Sequence, residues 1–145
     1  MILFNENNSR LCVDIKDWKE AIRFSANLLV EQNCAKPCYI DGIIHSIEKY
    51  GSYIVISDGL AIPHTRPEEG VLKIGFGLVT LKEPIYFEDN DIPVNVLIPF
   101  SAVDNNSHIE ILQSIVKLVD KKLIEKIGEA KTMEELSEIM KGCEE

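Results

Sequence analysis

Apolar residues recur along the chain with two different periods, and the switches between those periods mark out its elements. From Asp17 to about Gln32, the residues Trp18, Ala21, Ile22, Leu28 and Leu29 follow helical spacing. Asp17-Trp18-Lys19-Glu20 has the form of a capping box at the start of that helix. A second helix is predicted from Pro37, a residue tolerated in a first turn, with Ile40, Ile43, Ile44 and Ile47 as its buried stripe and Gly51 as its stop. Tyr53 to Ile56 then reads as a short strand, Ser57-Asp58-Gly59 as a tight turn and Leu60 to Ile62 as a second strand, a hairpin ending at Pro63. Between Val71 and Leu81 the period is two. Ile74, Phe76 and Leu78 share one face, and Gly75 and Gly77 share the other, where missing side chains admit another backbone. Pro93 to Phe100 is almost continuously apolar, as expected of a strand covered on both faces, with Pro99 marking an edge or an end. Helices are predicted over Ser107 to Asp120, Lys121 to Ala130 and Met133 to Lys141. This order implies an α/β or α+β domain, with a mixed β-sheet flanked by helices. No linker-like stretch or internal repeat interrupts the pattern, so a single domain over residues 1–145 is expected.

Composition narrows the function classes. Of 145 residues 46% are hydrophobic and 27% charged, enough for one globular core. The 24 acidic residues outweigh 15 basic ones for a net charge of −9, which repels a phosphate backbone. The densest basic pair, Lys121-Lys122, has Asp120 and Glu125 beside it, so nucleic acid is not an expected partner. The first residues lack a basic region followed by a long apolar stretch, and later apolar runs are too short to span a bilayer, so a cytoplasmic location is expected. Cys12, Cys34, Cys38 and Cys143 form no disulfide-scaffold pattern and read as free thiols. The C-x3-C pair Cys34 and Cys38 is followed by no second pair of ligands, so no metal is expected.

Three histidines carry the candidate chemistry. His45 lies off the apolar stripe of the second helix and should face solvent. His64 sits in Ala61-Ile62-Pro63-His64-Thr65-Arg66-Pro67, between two prolines that stiffen the backbone at a strand's end. Imidazole chemistry needs one tautomer held in one orientation, and such a turn is suited to holding it. On spacing alone, a histidine that merely hydrogen-bonds within its loop fits as well. Arg66 is a candidate phosphate clamp because a guanidinium meets two oxygens at once; a solvated loop cation fits its position equally. Ser107-His108-Ile109-Glu110 reads as another capping box, which puts His108 in a first helical turn, in line with Leu112, Ile115 and Val119 and leaning over the sheet. Unpaired amides and the positive dipole end of that helix favour a phosphoryl dianion beside it. There is no G-x-S-x-G elbow, P-loop or G-x-G-x-x-G, and only Asp58 or Asp104 is available to join the histidines at a metal.

These residues match a known pattern. Glu48-Lys49-Tyr50-Gly51-Ser52-Tyr53-Ile54-Val55-Ile56, Gly59-Leu60-Ala61-Ile62-Pro63-His64 and Arg66-Pro67-Glu68-Glu69-Gly70-Val71 resemble the active-site signature of mannitol/fructose-type EIIA domains of the bacterial phosphotransferase system. Within that class the chain is most similar to stand-alone ascorbate-specific EIIA proteins, from about Glu6 to Lys141. The resemblance implies the mannitol-type EIIA fold and a cytoplasmic phosphocarrier without cofactor. It implies that His64 is phosphorylated at Nε2 and that His108 hydrogen-bonds the phosphoryl group, with Thr65, Arg66 and Ser107 as further phosphate-binding candidates. Its implied donor is the carrier protein HPr and its acceptor EIIB, whose nucleophile is a cysteine in the resembled systems. The membrane component EIIC is reached only indirectly, and a homodimer stays open. Two departures stand out: Thr65 occupies a position that is glycine in many members, its hydroxyl within reach of the phosphoryl group or of the His64 Nδ1, and Lys49 is the nearest basic residue to an arginine that the wider class carries late in the second helix. The clamp therefore lies between Arg66 and Lys49, with Arg66 preferred for its position. Ile62, Phe76 and Ile109 are expected to form a flat docking surface. A regulatory module of the same fold, an EIIA for another sugar or polyol, and a metal-dependent hydrolase using both histidines are the rival readings.

Overall fold

A computed structural model describes residues 4–142. Strands β1 (Ser9–Val13), β2 (Val55–Ser57), β3 (Gly59–Ala61), β5 (Leu78–Ile85) and β6 (Val94–Leu97) form one sheet in the order β1-β5-β6-β3-β2. Pairing is parallel for β1 with β5 and β3 with β6, and antiparallel for β5 with β6 and β2 with β3, so the sheet is mixed as expected. A separate antiparallel pair joins β4 (Gly75–Phe76) to β7 (Phe100–Ser101).

Helices cover both faces, and the period of two along the strands divides the core between them. Ala61, Val79, Leu81 and Leu97 pack towards α1 (Trp18–Glu31) and α2 (Cys38–Tyr50). Leu60, Leu78, Val96 and Ile98 face the other way, towards α3 (Asn105–Asp120), α4 (Ile124–Glu129) and α5 (Met133–Lys141). In strand β6, Val94, Val96 and Leu97 are buried on the two faces and only Asn95 is partly exposed, which is why its sequence is almost continuously apolar. In α1 the Asp17 carboxylate accepts from the Glu20 amide, as the capping pattern predicts, and the helix α5 boundaries agree with expectation.

Four expectations change. The buried stripe of α2 is turned so that Tyr39 joins Ile43, Ile44 and Ile47, while Ile40 is only partly covered. The strand expected over 71–81 begins late: Val71 makes one isolated bridge to Ala35, Ile74 is half exposed, and the chain changes sheet between β4 and β5. That change occurs where Gly75 and Gly77 admit close neighbours: a Cβ at Gly75 would stand 2.4 Å from Cys34 Sγ, and one at Gly77 would stand 3.0 Å from the Asn8 carbonyl oxygen. The helix expected from Lys121 starts only at Ile124, because Lys122 takes a φ of 59° that breaks the helix. Finally, α3 begins three residues before Ser107 would cap it. Its N-cap is Asp104, and Ser107 is the third helical residue, closing the capping box that Asp104 opens rather than opening one with Glu110.

Cys12, Cys34 and Cys38 are free thiols, and Cys143 lies outside the described residues. No described helix is long and apolar enough to cross a membrane.

Candidate functional site

Strands β3 and β6 run parallel, so the segments leaving their carboxyl ends emerge side by side. Such ends are where α/β sheets build sites. The hairpin of β2 and β3 turns at Gly59, whose φ of 84° suits glycine, and sends the chain through Ile62 and Pro63 to His64. From β6 the chain passes Pro99 into β7, bringing Phe100 alongside, and then enters α3, which carries His108. Together they wall a cavity of about 680 Å3 that also takes in Ser46, Tyr50, Tyr53, Thr65, Arg66 and Asn105.

His64 is held by two aromatic rings and by backbone. Its ring stacks on Phe100 at 4.4 Å between centroids with 21° between planes, and the Tyr53 ring stands nearly perpendicular to it at 5.4 Å. The Tyr53 hydroxyl donates to the His64 carbonyl. Nδ1 lies 2.6 Å from the carbonyl oxygen of Ile62. A carbonyl only accepts, so Nδ1 carries the proton and Nε2 keeps its lone pair. Burial pushes the His64 pKa down to about 4, outweighing the Ile62 carbonyl, which favours the charged ring; the neighbouring His108 lowers it further. At pH 7 about one ring in a thousand is protonated. This is a neutral imidazole in one tautomer, with an Nε2 lone pair that is available without deprotonation.

The His108 ring stands 5.4 Å from those of His64 and Phe100, at 61° and 62°. Its side chain is partly buried, in line with Leu112, Ile115 and Val119 as expected; His108, Leu112 and Val119 run along the flank of the buried stripe of Ser107, Ile111, Ile115 and Leu118. That flank position turns the ring towards the cavity. The His108 amide is bonded to the Asp104 carbonyl at 3.1 Å, so the helix offers an anion only the earlier amides of Asn105 and Asn106.

The other expected residues divide. Arg66 lines the cavity and makes no ion pair with any described residue. Lys49 does not line this cavity but a smaller neighbouring one of about 270 Å3, with Nζ 5.1 Å from the Tyr50 ring centre. Thr65 lines the cavity, yet its hydroxyl is 3.0 Å from that of Ser46, and the Nδ1 partner foreseen for it is the Ile62 carbonyl. The Ser107 hydroxyl accepts from the amides of Val103 and Asp104 and donates to the Asp104 carbonyl, and it does not line the cavity. Of the expected docking residues, Ile109 is exposed and Phe76 partly so, but Ile62 is 2% exposed and belongs to the core. Val103 and Tyr50 supply exposed apolar surface at the rim instead. His45 faces solvent, as expected.

Tyr39, Ser46, Tyr53 and Phe100 were not foreseen as site residues. Tyr39 carried one usable signal, a polar-tipped aromatic at i, i+4 and i+8 with Ile43 and Ile47 on a core stripe, whose hydroxyl must find a buried partner. Among the described residues no group of three or more His, Cys, Asp or Glu side chains is placed to hold a metal ion.

The family model described as "Phosphoenolpyruvate-dependent sugar phosphotransferase system, EIIA 2" matches residues 2–143. The "Ascorbate-specific PTS system EIIA component" of Salmonella choleraesuis is 44% identical over 140 residues, covering 93% of this chain and 90% of that protein. The PTS IIA protein PtxA from Streptococcus mutans superposes with a TM-score of 0.89 at 38% identity, over 96% of this chain and 90% of that one. Enzyme IIAMTL from Escherichia coli, solved in complex with phosphorylated enzyme IIBMTL, shares the fold at a TM-score of 0.82 and 24% identity, over 97% and 98% of the two chains. With the family matched along nearly its whole length, this chain belongs to the EIIA type-2 family of the phosphoenolpyruvate-dependent sugar phosphotransferase system and is a phosphocarrier of that system.

Proposed function

We propose that His64 is the residue that carries the phosphoryl group, accepting it at Nε2 from phosphorylated HPr and giving it up to an EIIB protein in the cytoplasm, for the uptake of ascorbate. The observation that carries this reading is the bare Nε2 of a neutral, tautomer-locked His64 facing His108 at the mouth of a cavity. In the first transfer the Nε2 lone pair forms the new P–N bond while the donor's bond to phosphorus breaks and the donor keeps that electron pair. The phosphorylated ring still holds its proton on Nδ1, and the Ile62 carbonyl stabilises the positive charge the ring then bears. His108 and Arg66 meet the phosphoryl oxygens, and the Asn105 and Asn106 amides add the helix end's field. In the second transfer the EIIB nucleophile attacks the same phosphorus and the bonding pair returns to Nε2. Phosphoryl transfer asks for positioning and charge stabilisation more than for covalent chemistry by further side chains. Ascorbate as the transported substrate rests on the 44% identity to the Salmonella protein bearing that name.

The test is incubation with phosphoenolpyruvate, Enzyme I and HPr, followed by a search for an acid-labile, base-stable phosphoryl group. His64→Ala should abolish it, and acceptance at the same level by that variant would overturn the reading. His108→Ala should still accept phosphate but pass it on slowly; unchanged onward transfer would remove His108 from the mechanism.

A further inference from the structure

The loop that carries His64 continues a parallel ladder whose next rung is missing. Ala61 is in register with Leu97, the Ile98 amide donates to the Ala61 carbonyl at 2.9 Å, and the Phe100 amide donates to the Pro63 carbonyl at 3.1 Å. Evenly spaced parallel pairing would next join the Thr65 amide to the Phe100 carbonyl. In its place stands a side chain from α2. The Tyr39 hydroxyl accepts from the Thr65 amide at 3.1 Å and donates to the Phe100 carbonyl at 2.9 Å, with the Thr65 carbonyl a longer 3.3 Å away. Tyr39 is fully buried in the first turn of α2, and burial holds its phenol protonated, well above the usual range, so the donor half of the bridge is permanent.

We infer that Tyr39 is a positioning residue for phosphoryl transfer: its hydroxyl replaces one rung between the His64 loop and β7 and sets the spacing at which His64 stacks on Phe100 with Nδ1 on Ile62. The inference rests on the reading of His64 as the acceptor. Two residues linked by the hydroxyl, Thr65 and Phe100, are the direct neighbour of His64 and the platform under its ring. A direct rung at this point would draw the strands together by the width of one hydroxyl and pull His64 out of its contact with the Ile62 carbonyl. Without either arrangement, a buried donor and a buried acceptor would be left unpaired. Because the side chain is buried beneath the loop, Tyr39 cannot touch a docked partner protein.

The test compares Tyr39→Phe with the unaltered protein. In the unaltered protein, the Tyr39 hydroxyl proton should exchange slowly enough to appear in the proton NMR spectrum with a cross-peak to the Thr65 amide, and 15N shifts should report His64 protonated on Nδ1. In Tyr39→Phe, the His64 ring should become a mixture of tautomers. Its turnover with phospho-HPr should fall about 10- to 100-fold at unchanged KM, the size of loss that follows a small misplacement of a reacting group. Ile22→Val, in the same core cluster, serves as the control for general destabilisation and should leave both the tautomer and the turnover as they were. Tyr39→Phe with the native tautomer and turnover, or a change confined to KM, would overturn the inference. If Tyr39→Phe does not fold, the unaltered protein decides, since a Tyr39 hydroxyl in fast exchange with water refutes the bridge. Failure of the functional reading is separate, because it shows as phosphate acceptance by His64→Ala, whereas the tautomer measurement needs no phosphate.

Discussion

Replacing His64 with glutamine should change how the protein responds to acid more than how stable it is at neutral pH. In the folded chain the ring stays neutral down to about pH 4, while in the unfolded chain it titrates near 6.5. Both states are therefore neutral above about pH 7, and His64 costs nothing there. As pH falls through 6.5 the unfolded chain binds a proton that the folded chain refuses, so stability drops until about pH 4, where the folded ring takes its proton too. At 1.36 kcal/mol per pH unit this interval is worth at most about 3 kcal/mol, and residual solvent contact of the ring brings the working figure to roughly half. His64→Gln removes this titration, and the lost stack on Phe100 and hydrogen bond to Ile62 add an offset that does not vary between pH 7 and pH 4 in the same way. Asp89, held below the usual carboxylate range by the Ser52 hydroxyl and amide, also loses stability on acidification, but equally in both proteins, and so cancels. Trp18 is the only tryptophan and is buried against Phe87 at 5.4 Å, which makes urea unfolding followed by its fluorescence a clean assay. Stability of the native protein relative to the variant should fall by about 1.5–3 kcal/mol between pH 7 and pH 4. A difference that stays flat over that range, or an NMR midpoint for His64 near 6.5, would refute the buried, neutral imidazole on which the mechanism depends.

Arg66→Ala should slow phosphoryl transfer about 10- to 100-fold in rapid-quench assays, the usual loss when one charged donor to a transferring group is removed. Lys49→Ala should cost little; the opposite ranking would move the clamp to Lys49. Gly75→Ala should destabilise by about 1–3 kcal/mol in urea unfolding, because the new methyl would stand 2.4 Å from Cys34 Sγ and 2.8 Å from its Cβ. Adding Cys34→Ala should recover part of that loss by removing the sulfur, and a neutral Gly75→Ala would show that the packing there is looser than described.

Where a feature depends on neighbours within a few residues, the chain's own order determined it. The helix from Trp18 to Glu31, the hairpin ahead of His64 and the helix from Met133 to Lys141 follow from local periodicity, caps and turns, which short segments satisfy by themselves. The two histidines stood out for the same reason, one between prolines at a strand end and the other in a helix's first turn. Local pattern misled where two local answers competed: Asp104 and Ser107 both make good N-caps, and the extra first turn of α3 settles the choice by giving Ser107 the amides of Val103 and Asp104. What buries the imidazole and keeps it neutral lay beyond local reading. Phe100 stacks on His64 only because β3 and β6 pair in parallel, and the Tyr39 hydroxyl reaches Phe100 across 61 residues of chain. Parallel pairing and buried polar bridges join segments that share no sequence neighbourhood, so they exist only once the sheet and its helices have packed. The sequence alone determined which histidines stand at strand and helix ends, and the Ile62 carbonyl two residues away sets the tautomer of His64; tertiary packing decided its neutrality, the ring it stacks on and the cavity it lines.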